Sequence, residues 1–234
     1  MTLELKALNA GYGRAQVLFD LAIDLRAGEV LVLLGRNGAG KSTALKAAMG
    51  LVPAWSGNIR FGGQRIDGLA PFQVARLGLG YVPEDRRIFT ALSVRENLEA
   101  GRQPPREGAP RWTPEKLYEL FPNLGRMRAR PGGRMSGGEQ QMLAIARTLM
   151  GNPRTVLLDE PFEGLSPLIV EGVAAAIREL KREGLSVLLS DQNLRVARRV
   201  ADRACIIERG RLCHEGGMAE LDAAPALRER YLSA

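Results

Sequence analysis

A chain of 234 residues, 45% hydrophobic and 25% charged, can bury one domain-sized core and still carry a sizeable insertion. Its longest apolar runs, "VLVLLG" from Val30 and "TVLLD" from Thr155, fall far short of the ~20 residues a membrane helix needs. The net charge of +7 is nearly all arginine, Lys6, Lys41, Lys46, Lys116 and Lys181 being the only lysines, and it is spread along the chain without interleaved aromatics, which argues against a nucleic-acid partner.

In chain order, residues 2–10 and 16–25 alternate loosely and predict two strands joined by the turn "AGYGR". "GEVLVLLG" reads as a short strand buried on both faces, running into a glycine-rich loop and a helix from Lys41 to about Met49. "SGNIRFGG" predicts a further strand, followed by a helix around Pro71–Leu77 and the strand "LGYVP". From Arg86 to about Gly133 no strong strand is expected. "SVRENLEAG" and "TPEKLYELFP" predict helices there, separated by a surface loop at 102–111 and trailed by the basic "GRMRARPGGR". A helix from Glu139, the strand "TVLLD", the helix "PLIVEGVAAAIRELKREG" and the strand "SVLLSD" then restore α/β alternation. The helix "NLRVARRVAD", the strand pair "RACIIERG" and "RLCHEG" and a closing helix near 217–232 complete the pattern. No basic-then-apolar leader opens the chain, which predicts a cytoplasmic location. Only about twenty residues follow "RLCHEGG", so no regulatory domain is expected. Cys205 and Cys213 lack CxxC spacing and predict reduced, structural thiols.

Two helix starts carry chemistry. "GRNGAGKST" has Gly35, Gly40, Lys41 and Ser42 at the places of a phosphate-binding loop, between a predicted strand and a predicted helix. The amides of the loop around Asn37–Ser42 point inward as an anion nest, the helix adds roughly half a positive charge at its N-terminus, and Arg36, Asn37, Gly38, Ala39 and Thr43 are assigned with the motif residues to ATP binding. Lys41 would reach the β- and γ-phosphates, and Ser42 would offer its hydroxyl to Mg²⁺. At the end of "TVLLD", adjacent Asp159 and Glu160 are costly unless a cation or phosphate chemistry occupies the site. Asp159 is assigned to the Mg²⁺ shell and Glu160 to polarising an attacking water. The alternative is that one of them merely caps the next helix. "RMSGGEQQMLAIARTLM", from Arg134, opens a second helix with Ser136 as N-cap and Glu139 closing a capping box. Read locally, that is a well-capped helix and nothing more, and Tyr12 is a commonplace turn tyrosine.

Together these pieces resemble the ATP-binding cassette family over essentially the whole chain. The resemblance implies an α/β fold: a P-loop NTPase core at 1–85 and 139–234, an N-terminal antiparallel β subdomain, and an α-helical insertion at about 86–138. In that family "MSGGE" resembles the signature motif, so Ser136, Gly137, Gly138 and Glu139 would reach across a head-to-tail dimer to the γ-phosphate held by the partner's Gly35–Thr43. Tyr12 would stack on adenine, with Val17 touching the same ring. Glu84 stands where the family usually has a glutamine that ligands Mg²⁺ or water. Two positions depart from the usual pattern: Gln192 replaces a histidine, and "PFEGLSP" puts Ser166 where an aspartate is common. Gln192 can hydrogen-bond a γ-phosphate but cannot carry a histidine's positive charge.

"GLSPLIV", "DQN" and "GYVPEDRRIFTALSVRENLEAGR" are similar to the shorter cassette of branched-chain amino-acid uptake systems. That similarity implies an ATP- and Mg²⁺-dependent ATPase, peripheral on the cytoplasmic face of the inner or plasma membrane. Its partners would be a second cassette (a sister or itself), two membrane permease subunits and, indirectly, an extracytoplasmic solute-binding protein. Importers of urea and short amides look similar, and a soluble nucleotide switch acting on nucleic acid or ribosomes is a more distant reading. Phe89, Leu92, Phe121 and the arginines between them are candidate contacts to the membrane subunits, or simply core.

Overall fold

The computed structural model describes residues 2–232. The first two strands, β1 (Leu3–Tyr12) and β2 (Ala15–Leu25), pair antiparallel through the two-residue turn at Gly13. After β3 (Val30–Leu34) and α1 (Lys41–Ala48) the chain returns with β4 (Ala54–Phe61) on the other side of β1, and a two-residue β5 (Gln64–Arg65) completes a four-stranded sheet in the order β2-β1-β4-β5. α2 (Pro71–Arg76) and β6 (Leu79–Val82) follow as expected.

Between 86 and 133 the only β pairing is an isolated bridge, Ser93 to Pro131. The helices are α3 (Val94–Ala100), α4 (Pro114–Leu120) and a short α5 (Pro122–Arg126), with a 3₁₀ turn at Gly132–Arg134. α5 begins at Pro122, the last residue of the predicted helix "TPEKLYELFP", and ends at Arg126 in the basic stretch; Pro122 at its first turn starts a separate helix there. The 102–111 segment is a loop, as expected.

α6 (Gly137–Leu149), β7 (Thr155–Asp159), α7 (Pro167–Arg182) and β8 (Ser186–Asp191) alternate as predicted. The helix expected over 193–202 shrinks to α8 (Leu194–Ala197). β9 (Arg203–Glu208) and β10 (Arg211–Gly217) form the expected hairpin. The closing helix is two, α9 (Met218–Asp222) and α10 (Pro225–Leu232), because Pro225 cannot donate to a continuing helix.

The second sheet has six strands in the order β10-β9-β3-β8-β7-β6, parallel except for its edge strand β10. Strand periodicity divides the core: Val30, Val32 and Leu34 of β3 join the cluster under α6 and α7, while Leu31 and Leu33 point into the cluster shared with α1 and the first sheet. Cys205 lies in that second cluster, where burial pushes its thiol up to about 12. Both thiols are free, but Cys213 is exposed, so only Cys205 is part of the core. Phe121 is 2% exposed and packs with Leu117 and Leu124, which places it in the core and removes it from the candidate docking residues. Phe89 stays 50% exposed, with the Arg147 guanidinium 4.9 Å from its ring centre. No helix among the described residues is long and apolar enough to cross a membrane.

The parallel order matters for the site. β3, β7 and β8 are adjacent and all end on the same edge, so the loops after Leu34, Asp159 and Asp191 converge.

Candidate functional site

The first of these loops wraps the N-terminus of α1. Gly40 is its N-cap with φ 108°, a left-handed conformation that favours glycine, and no side chain or first-turn acid covers the helix amides. The β9–β10 hairpin braces it from behind: Gly210 N–H donates to the Ala39 carbonyl at 2.8 Å, and Phe19 N–H to the Gly210 carbonyl at 2.9 Å. In front lies a cleft of about 420 Å³ lined by Val17, Asn37, Gly38, Gly40 to Thr43, Glu84, Glu160 and Glu163. Tyr12 stands beside it, half exposed, its hydroxyl 3.5 Å from Thr43 Oγ1.

Lys41 is 4% exposed and heavily engaged. Its Nζ donates to the Gly35 carbonyl at 2.8 Å and the Arg36 carbonyl at 3.2 Å, and pairs with Glu160 Oε1 at 3.0 Å. The pair joins the first residue of α1 to the residue just after β7, and a buried cation of this kind depends on its carboxylate partner.

The two adjacent acids after β7 do not share an environment. Asp159 is cross-strand from Ser190; Ser190 Oγ donates to its Oδ1 at 2.7 Å, and the Tyr81 hydroxyl donates to its Oδ2 at 3.0 Å. Burial first, and then the Asp159 charge, push the Tyr81 hydroxyl well above its ordinary pKa, so it remains a donor. Glu160 turns away with φ 46°, strained for a non-glycine residue, and its amide donates to Ser190 Oγ at 2.9 Å. One hydroxyl thus holds both acids. Neither Tyr81 nor Ser190 was singled out from the sequence; the signal available was a second serine, directly before Asp191, in the buried run "SVLLSD".

Among the described residues no three acidic, histidine or cysteine side chains form a ready metal cluster. Fit to a divalent cation rests on the hard oxygens around the cleft. Ser42 and Glu84 line it, and the Glu84 carboxyl is raised above its ordinary value by burial and by the Glu163, Asp159 and Glu160 charges, a concentration of negative charge that a cation relieves. The residues present therefore fit Mg²⁺ brought in with phosphate oxygens.

A second cleft of about 1250 Å³ adjoins the first and is lined by Gly35, Arg36, Glu160, Asp191, Gln192 and residues of α8 and α10. Gln192 and Glu160 therefore line the same cleft. His214 sits on β10, away from both.

The second helix start is built as predicted: Ser136 Oγ accepts from Glu139 N–H at 3.3 Å, and Glu139 accepts from Ser136 N–H at 2.7 Å. Its glycines also serve the chain itself. A Cβ on Gly137 would come within 2.9 Å of Arg86 Nη1, and one on Gly138 within 2.7 Å of Ile169 Cγ2. Ser136 is exposed, and none of Ser136, Gly137, Gly138 or Glu139 lines either cleft, so a single chain does not bring the two helix starts together.

A family model described as ABC transporter matches residues 18–163. The chain is 42% identical over 221 residues to the high-affinity branched-chain amino acid transport ATP-binding protein BraG of Pseudomonas aeruginosa, covering 94% of this chain and 95% of that protein. It is 36% identical over 233 residues to the lipopolysaccharide export system ATP-binding protein LptB of Escherichia coli, covering 99% of this chain and 97% of that one. Among solved structures, an ATP-binding subunit of an ABC transporter superposes with a TM-score of 0.80 at 29% identity, over 97% of this chain and 95% of the other.

Proposed function

The chain belongs to the ABC transporter family, whose ATPase subunits couple ATP hydrolysis to transport, and from that premise we propose that it energises an importer of branched-chain amino acids. One observation carries the cargo reading: near-complete mutual coverage at 42% identity with BraG. A second reading, lipopolysaccharide export, is favoured by the 36% identity to LptB over 99% of the chain. Urea and short-amide import is an outcome of the same test.

On this reading residues 1–85 and 139–234 are the catalytic core and about 86–138 the helical insertion. ATP sits on Gly35–Thr43 with its phosphates over the α1 amides and Lys41, and adenine against Tyr12 and Val17. Mg²⁺, when bound, neutralises phosphate charge; Ser42, Glu84 and Asp159 are the residues to hold it, Asp159 through the oxygen lone pairs that Tyr81 and Ser190 leave free. Glu160 orients the attacking water and takes its proton, and Gln192 hydrogen-bonds the γ-phosphate. Because Ser136–Glu139 lie outside both clefts, they act on the nucleotide of a second cassette in a head-to-tail dimer. The dimer works at the cytoplasmic face of the membrane, on two permease subunits supplied by a solute-binding protein.

The test is reconstitution with candidate permease subunits, measuring phosphate release with candidate solutes and their binding proteins. Stimulation by leucine, isoleucine or valine supports the reading. Stimulation by urea or an amide alone, or activity only with lipopolysaccharide-extracting partners, replaces it.

A further inference from the structure

Asp191 is a buried charged group at the edge of the site with no task assigned so far. Asp191 ends β8, opposite Leu34 at the mouth of the phosphate loop, and is 4% exposed. Its Oδ1 accepts from Asn193 N–H at 2.6 Å, and Asn193 Oδ1 in turn accepts from Arg195 N–H at 3.0 Å. Two consecutive side-chain brackets therefore grip the backbone on either side of Gln192. Asp191 Oδ2 is buried with no hydrogen-bond partner. An orphaned carboxylate oxygen is a cost the fold does not offset locally, and such costs persist where geometry is at stake.

The surroundings point the same way. Asp191 and Gln192 share the larger cleft with Glu160, and Glu163, Arg36, Arg195, Arg198 and Glu229 complete its charged lining, while Lys41 faces Asp191 from α1. Arg36 and Lys41 carry positive charge here, yet neither donates to Oδ2. A serine or asparagine would close the same turn without placing an unsatisfied charge beside Glu160. Gln192 itself is exposed and has two flexible bonds more than its backbone needs, so its aim depends on how firmly the turn is held.

We propose that Asp191 is a positioning residue for ATP hydrolysis: its carboxyl clamps the Asp191–Asn193 turn and so aims Gln192 at the γ-phosphate. This rests on the ATPase reading and on Gln192's place in it. Asp191 touches no phosphate; it acts through Gln192.

The experiment is a double-mutant cycle in the full chain, with kcat and KM for ATP measured on wild type, D191A, Q192A and D191A/Q192A, together with D191N. D191A should lower kcat about ten- to a hundredfold with KM within about twofold, because the Lys41 loop is untouched. Q192A should match it, and the double variant should be no slower than either single one. D191N keeps an oxygen acceptor for the Asn193 amide and should restore kcat to within about threefold. Additive losses in the double variant, a parallel rise in KM, or D191N as slow as D191A overturns the proposal. D191N conserves shape, so if D191A does not fold, D191N slower than wild type by more than about threefold still overturns the proposal. A wild-type chain with no turnover sinks the ATPase reading; an active wild type without epistasis sinks only this inference.

Discussion

Replacing Glu160 with glutamine tests the part of the site that matters most, because it should have two opposite effects. Lys41 and Glu160 are 4% and 9% exposed, so solvent barely screens their 3.0 Å contact. A charge-assisted hydrogen bond of this kind stabilises by about 1.5–3 kcal/mol and a neutral one by about 0.5–1.5 kcal/mol. An arriving phosphate must displace the carboxylate from Lys41, so Glu160→Gln weakens the competitor by about 1–1.5 kcal/mol, roughly five- to twelvefold in Kd. The same change removes the base, so turnover should fall to near zero and ATP should hold the subunits together as dimers. Calorimetric titration with a non-hydrolysable ATP analogue reads the first effect, and phosphate release and size-exclusion in ATP read the second. The reasoning fails if the analogue binds the variant no more tightly than wild type, or if phosphate release continues unchanged.

Three further outcomes follow from single contacts. Ser190→Ala removes the donor to Asp159 and the acceptor for the Glu160 amide, both buried; it should cost about 2–3 kcal/mol of stability in a urea titration and lower kcat at least tenfold. Gly210→Ala places a Cβ 1.7 Å from the Val17 carbonyl oxygen at φ 76°, which should loosen the hairpin that braces the phosphate loop and lower Tm by several degrees in a thermal melt. Burial, reinforced by the Glu160 charge and opposed by the Asn193 amide and Lys41, raises the Asp191 carboxyl from 3.8 to about 6. The folded state then holds a proton that the unfolded chain has lost, so this group's contribution to stability is full below pH ~4, declines between ~4 and ~6 and stays lost above. The loss at neutral pH is on the order of 3 kcal/mol; Asp191→Asn should raise Tm at pH 7.5 and lose that advantage at pH 4, as melts at both pH values would read.

Most strands and long helices were legible because each carries a period that only one structure satisfies. "VLVLLG" and "TVLLD" had to be strands buried on both faces, and the Ser136 capping box marks a helix start without help from tertiary contacts. α5 and the break at Pro225 were not legible as elements, since five-residue helices have too few turns to show a stripe. β5 is two polar residues whose pairing depends on the Gly62–Gly63 turn returning to β4. In the site, motif spacing singled out Lys41, Ser42, Asp159 and Glu160, and the family resemblance singled out Gln192; the parallel order brings the start of α1 and the ends of β7 and β8 to one edge of the sheet. What spacing could not give was which partner each would choose. Tyr81 reaches Asp159 from a strand 78 residues earlier, and Ser190 joins two acids through register alone.

That choice of partners bears directly on mechanism. Three carboxylates gather at neighbouring strand ends, yet each is held differently: Asp159 by two hydroxyls, Glu160 by an ammonium, Asp191 by a backbone amide. Two hydroxyl donors leave Asp159 with oxygen lone pairs to spare, as a cation ligand requires. The ammonium makes Glu160 conditional. Lys41 Nζ and Glu160 Oε1 are 3.0 Å apart, and Lys41 cannot engage a carboxylate and a phosphate fully at once. On the proposed roles, arrival of the γ-phosphate therefore both fills the site and releases the base. On those roles the base becomes available only when there is a phosphoryl group for water to attack.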